Sequence, residues 1–235
     1  MALLLQLDTT TSVCSASLAL NGKLLFEKRD DSGTKHTSVL TVFIEQLLAE
    51  TGNSVTQLDA VALSSGPGSY TGLRIGASVA KGICFAVDKP LIAYSTLQAM
   101  ADFVIQADQY NEEAVFIPLI DARRLDAFFG VYDSHCRSLV PAGFCTLNQA
   151  FFQPFSGTYP NVFLFGNAEK KIDLLLISGF GTVIENVCCL SSNGTRLAAE
   201  KYNQKQFENV GVYIPDYLKG FEGNKSKKLN SLLKS

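Results

Sequence analysis

The segment LLLQLDTTTS, residues 3–12, is an apolar run closed by an aspartate, and FIPLIDARRL, residues 116–125, echoes it. The two aspartates, Asp8 and Asp121, stand 113 positions apart. The same order of signals follows each. After Asp8, residues 13–20 mix small and apolar side chains, and Asn21-Gly22 then supplies the pair that a type I′ hairpin turn requires. Residues 23–29 return as a third strand. Residues 34–50 carry Val39, Leu40, Phe43, Leu47 and Leu48 at helical spacing. Residues 61–63 form a buried strand that runs into the breakers Ser64-Ser65-Gly66-Pro67-Gly68, and residues 69–87 form a second helix. After Asp121 come an apolar segment at 127–132, a turn at Ser134-His135 and a helical segment opening at 148–152. A strand at 162–165 follows, with Gly166-Asn167 behind it, and then a helix at 168–177.

This repetition predicts an α/β protein of two similar lobes, each a β-β-β-α-β-α unit with a mixed sheet. A linking helix at 96–107 divides them. The first lobe is expected over 1–100 and the second over 101–219, with a basic tail at 220–235 holding Lys225, Lys227, Lys228 and Lys234. Residues 191–206 read as a further helix and 212–215 as an extended piece. The second lobe is expected to be the less regular, because Pro154 and Pro160 interrupt it.

Composition narrows the function. Twenty Lys and Arg against 22 Asp and Glu leave a net charge of -2, which argues against an extended basic face for nucleic acid. No apolar run reaches the roughly 18 residues of a membrane span, so no membrane partner is expected. The amino terminus lacks a cationic region and reads as a strand, not a leader. Six cysteines show no CxxC spacing and read as reduced thiols of a cytoplasmic protein. The two histidines, His36 and His135, form no HExxH or HxxxH pair, which leaves few candidates for a metal site or a catalytic triad.

Two places invite chemistry. Strand-end aspartates followed by tight hairpins form phosphate-holding corners in the actin and hexokinase superfamily. Here the corners read Asp8-Thr9-Thr10-Thr11-Ser12 and Asp121-Ala122-Arg123-Arg124-Leu125. Neither contains the glycine that close approach to phosphate favours. Asp8, Thr9, Thr10, Arg123 and Arg124 are therefore weak cofactor-binding candidates, and at least one arginine is expected to pair with Asp8, Asp121 or Asp126. The second place is residues 63–82, LSSGPGSYTGLRIGASVAKG. It fits neither the P-loop nor the Gly-x-Gly-x-x-Gly pattern. Gly72, Gly76 and Ala80 share one helical stripe, and glycine inside a helix costs about 1 kcal/mol. Something must pack closely there, and within one subunit it is expected to be the helix at 34–50 or the sheet. Tyr70, Arg74 and Ile75 lie on other faces.

In combination, the Asp8-Thr-Thr-Thr start, the run Gly66-Pro-Gly-Ser-Tyr-Thr-Gly-Leu-Arg74, Ser95-Thr96-Leu97 and Ile120-Asp-Ala-Arg-Arg124 resemble the bacterial TsaB (YeaZ) family. The resemblance runs from residue 1 to about Pro215. Tyr70 stands where that family commonly has Phe, Asp126 where it usually has Glu, and its late Pro-Val-Tyr-Leu-Arg pattern survives only as Gly211-Val-Tyr-Ile-Pro215. The family is a Gcp-like branch of the actin-like ATPases, with a ribonuclease H-like fold. It implies a scaffold without catalytic residues of its own, working in N6-threonylcarbamoyladenosine formation at position 37 of ANN-decoding tRNAs. The implied partners are a TsaD-like paralogue, a TsaE-like ATPase, tRNA through the complex, and a second copy of the chain. ATP and iron or zinc would belong to the partner subunits, with none bound by this chain alone. A glycoprotease-type metallopeptidase and a small-molecule kinase of the same fold are the alternatives. The resemblance also implies a helical interface on the first lobe, drawn from His36, Leu40, Phe43, Leu47, Tyr70, Gly72, Arg74, Ile75, Gly76 and Val79.

Overall fold

Leu4, Leu5 and Leu7 have no exposed surface, so strand β1 (Leu3–Asp8) is apolar toward both faces of its sheet. A strand with helices on either side reads as such a continuous run. The computed structural model describes residues 1–33, 36–155, 158–168, 171 and 180–218. β1 pairs antiparallel with β2 (Cys14–Leu20) and parallel with β4 (Ala60–Gly66). Asn21 and Gly22 adopt φ of 52° and 74°, as the type I′ turn demands, and lead into β3 (Lys23–Asp30). Helix α1 (His36–Glu50) follows β3, α2 (Tyr70–Val87) follows β4, and β5 (Leu91–Ser95) completes the first sheet in the order β3-β2-β1-β4-β5.

The second sheet has the same order run from the other end. It consists of β6 (Ala114–Asp121), β7 (Asp126–Asp133), β8 (Ser138–Thr146), β9 (Asn161–Phe165) and β10 (Thr182–Ile184), arranged β10-β9-β6-β7-β8. Asp8 and Asp121 thus end the central strands of two separate sheets, and the chain is the predicted duplicated, two-lobed α/β fold. The second lobe contributes only the short α4 (Gln149–Phe152) among described helices of its own. The helix expected at 168–177 lies almost wholly outside the described residues, and the tail at 220–235 lies outside them entirely.

Each face of the first sheet has its own core. Leu3, Leu5, Leu7 and Leu63 meet Leu40, Ile44 and Leu47 of α1 and Ala77 and Ala80 of α2. On the opposite face Leu4, Ala62, Ile92 and Tyr94 meet Ala99 of α3 (Thr96–Ala107) and Leu197 and Ala198 of α5 (Thr195–Asn203). Helix α3 serves both lobes, because Leu97, Met100 and Val104 pack against Phe116 and Ile120 of β6.

The last part of the chain crosses the boundary drawn for the second lobe. Residues 191–194 form a 3₁₀ turn whose Ser191 N–H donates to Ser15 Oγ at 2.8 Å and whose Ser191 hydroxyl donates to Glu27 at 2.9 Å. This turn replaces the start of the helix expected at 191. Arg196 of α5 clamps Asp102 of α3. The stretch beyond then runs along the first lobe: Glu208 bridges Leu91, Lys81 reaches the carbonyls of Gly211 and Tyr213, and Asp216 N–H donates to Ser65 C=O at 2.9 Å. Residues 191–217 therefore belong structurally to the first sheet.

Candidate functional site

The first corner is built where the turn after β1 abuts the start of α2. Asp8, Thr9 and Thr10 are 2%, 1% and 1% exposed. The Asp8 carboxylate accepts both the N–H and the hydroxyl of Thr10, at 2.8 and 2.7 Å. Thr9 Oγ1 donates to Gly72 C=O at 2.7 Å, and Ser69 N–H donates to Thr10 C=O at 2.6 Å. Ser69 also caps α2, its hydroxyl accepting Gly72 N–H at 3.3 Å. The glycine stripe explains this closeness. A Cβ on Gly68 would lie 2.3 Å from Thr10 O, one on Gly72 1.9 Å from Thr9 O, and one on Gly76 2.5 Å from Thr9 Oγ1.

These residues do not fit a phosphate group. The donor that a phosphate would need, Thr10 N–H, is spent on Asp8, and the start of α2 covers the threonines. Burial raises the Asp8 pKa above its ordinary 3.8, with the Thr10 and Ser64 hydrogen bonds opposing it and Glu27 adding to it. Desolvation likewise pushes the Cys14 thiol up to about 12 and Cys189 well above its usual range.

The second corner is open. Arg123 and Arg124 are exposed and have φ of 74° and 49°. Their expected pairing with a nearby carboxylate is not what the structure shows. The cation on Asp121 is Lys171, whose Nζ lies 2.6 Å from Asp121 Oδ1 and 2.9 Å from Asp126 C=O. Arg123 instead gives its backbone N–H to Asp121, at 2.6 Å. Among the described residues no group of three or more His, Cys, Asp and Glu could hold a metal ion.

The residues named for a partner interface divide in two. Leu40 and Leu47 are wholly buried in the chain's own core, and Gly72 and Gly76 are buried against Thr9. These four cannot reach a partner, so the glycine stripe is an internal joint and not an external groove. His36 is half-buried, with Nε2 2.8 Å from Thr11 C=O. Phe43, Tyr70, Ile75 and Val79 are half-buried and Arg74 is exposed. Arg74 stacks on the Tyr70 ring at 4.5 Å, and the Tyr217 ring lies 4.8 Å from that of Tyr70 between ring centres, tilted by 43°. Between the helices lies an open apolar groove of about 490 Å³, lined by Thr41, Leu48, Val79, Gly82 and Ile83 among others. Phe85, 86% exposed, stands beyond it on α2. Leu48 was in the expected helical pattern. Gly82, Ile83 and Phe85 continue the α2 spacing from Ile75 and Val79, a signal the glycine stripe drew attention away from.

Two mixed sheets of matching order, with an aspartate ending each central strand and helices shared between them, define the two-lobed actin-like ATPase fold. The family model for TsaD, tRNA N6-adenosine threonylcarbamoyltransferase, matches residues 30–157, more than half of the chain, and the chain belongs to that family. It is similar to the tRNA threonylcarbamoyladenosine biosynthesis protein TsaB of Haemophilus influenzae, 37% identical over 126 residues, which are 54% of this chain and 52% of that protein. The chain thus spans about half the length of the curated relatives it matches. The structure of YeaZ from Pseudomonas aeruginosa shares its fold, with a TM-score of 0.75, 24% identity, and coverage of 93% of this chain and 100% of that one. The activator of 2-hydroxyisocaproyl-CoA dehydratase from Clostridium difficile, determined with bound ADPNP, shares it more distantly, with a TM-score of 0.53 and 14% identity over 88% of this chain and 99% of that one. Within the family the chain therefore resembles the bacterial TsaB/YeaZ members.

Proposed function

We propose that this chain is a non-catalytic scaffold subunit in the formation of N6-threonylcarbamoyladenosine on tRNA. It pairs with a TsaD-like transferase paralogue through the outer face of α1 and α2, and a TsaE-like ATPase joins that pair. One observation carries the reading: α2 spends its glycine face closing the first corner and leaves its opposite face beside an open apolar groove. An actin-like lobe shaped this way has given up a phosphate corner and kept a docking surface. ATP and iron or zinc then belong to the partners, tRNA is met through the complex, and the same face serves a homodimer when the paralogue is absent. The compartment is the cytoplasm, where the reduced cysteines are at home; no described helix is long and apolar enough to cross a membrane.

Co-purification with the organism's own TsaD-like protein tests this. Val79 is half-buried and packs against the core cluster from the groove side, so Val79→Glu should abolish the complex, with circular dichroism checking that the chain stays folded. A Val79→Glu chain that still binds its paralogue with full affinity places the contact elsewhere. Gly76→Leu is unsuitable for this purpose, because it strikes Thr9 first.

A further inference from the structure

Strand β5 ends the first sheet, and most of its outer edge is unpaired. Among the described residues that edge carries one bridge, in which Glu208 N–H donates to Leu91 C=O at 2.8 Å. On the β4 side, Tyr94 C=O accepts the Ser65 hydroxyl at 3.0 Å. Alternate residues of a strand turn their amides to opposite neighbours. Ala93 therefore turns its N–H and C=O outward with Leu91. Over this edge lies a cavity of about 460 Å³, closed on the far side by the chain at 208–216. That volume falls in the range of small-molecule sites, and its place beside the carboxyl ends of parallel strands is where α/β folds bind ligands.

The charges at its two ends differ. At the Leu91 end stands Lys201 of α5; Gln206 N–H donates to Lys201 C=O, and this turn delivers Glu208 to β5. The structure records no ion pair between Lys201 and Glu208, although both line the cavity. At the Ser95 end stands Asp216, held by the Ser65 hydroxyl at 2.9 Å through one carboxylate oxygen. The ends are separated by the length of β5, roughly 13 Å at 3.3 Å per residue. Val212 and Ile214, 73% and 69% exposed, give the mouth an apolar lip.

We propose that this cavity binds the zwitterion of a short extended peptide of about three residues, whose length of roughly 10 Å at 3.4 Å per residue lets its two termini reach both ends. Its ammonium meets Asp216, its carboxylate meets Lys201, and a peptide's amide pairs with the outward N–H and C=O of Ala93. Glu208 beside the carboxylate weakens the binding.

The test is nitrogen-15 NMR titration of the full chain with glycine, L-alanine, trialanine, N-acetyl-trialanine and trialanine amide. Trialanine should shift the Ala93 and Ser95 amide signals, whereas glycine and L-alanine, too short to reach both charges, should bind at least about tenfold more weakly. Blocking either terminus should weaken the response about tenfold or more, as loss of a charge-assisted hydrogen bond requires. Lys201→Met should weaken the free acid and leave the amide unchanged, while Glu208→Gln should tighten the free acid. Alanine binding as tightly as trialanine overturns the two-ended site. The proposal fails if trialanine does not move Ala93 at tens of millimolar. It fails equally if blocked and free trialanine bind alike, whatever the variants do.

Discussion

Gly72 leaves no room for a side chain. A Cβ there would meet Thr9 O at 1.9 Å, a backbone atom that cannot move without opening the Asp8 corner. Gly72→Ala should therefore destabilise the fold by about 3 kcal/mol, read by chemical denaturation. Gly82, in the same helix, would meet nothing within 4 Å. Gly82→Ala should stabilise by about 1 kcal/mol through helix propensity alone. Opposite signs from one substitution type, ten residues apart, separate joint from surface. Asp8 supplies a pH prediction. Its pKa is raised in the folded state, so its contribution is fully present below its unfolded value of about 3.9 and is lost as pH rises through the folded value. Asp8→Asn keeps an acceptor for Thr10 and removes the buried charge. It should raise stability at neutral pH and flatten the pH profile between acid and neutral. A variant as pH-dependent as the parent would contradict this. Among the described residues the buried Tyr213 hydroxyl has no hydrogen-bond partner, so Tyr213→Phe should cost nothing or gain up to about 1 kcal/mol.

Helices and strands differ in how plainly the sequence announces them. Helix α2 was legible at both ends, because Ser69 caps it and the glycine-proline loop before it breaks any strand. Ser69→Ala should cost about 1 kcal/mol, seen as a lower unfolding midpoint. The hairpin at Asn21-Gly22 was legible for the same local reason. β5 was not: its five residues lie between two helices, and Leu91–Ser95 runs without a break into the apolar start of α3. β8 was hidden by Pro141 and Gly143, residues that an edge strand tolerates and a central strand does not. The turn between β7 and β8 spans Ser134 to Arg137, with Cys136 at φ of 61°, so the second hairpin lacks the two-residue signal of the first. The glycine stripe correctly announced a close approach. Of the neighbours expected for it, the helix at 34–50, the sheet or a partner, the structure gives the stripe to Thr9 at the end of β1 and Leu63 of β4. Lys171 was missed as the cation on Asp121, since 50 positions separate them.

At the scale of the molecule, two contacts fasten the chain, one to the helix that its lobes share and one inside the first lobe. Arg196 binds Asp102, whose side chain is 3% exposed, and so ties α5 to the shared helix α3. Arg196→Leu leaves that carboxylate buried and alone, and should cost about 3 kcal/mol. The second fastening is the first corner itself. There α2 is wedged against the threonines, and α2 is the helix whose other side lines the apolar groove. On the scaffold role proposed above, a molecule wedged in this way would be deaf to the cell's energy charge, and any timing of assembly would come from its partners. Millimolar ATP should accordingly leave the melting temperature of the isolated chain where it was, while Thr9→Gly, which loosens the wedge, should lower that temperature with or without nucleotide.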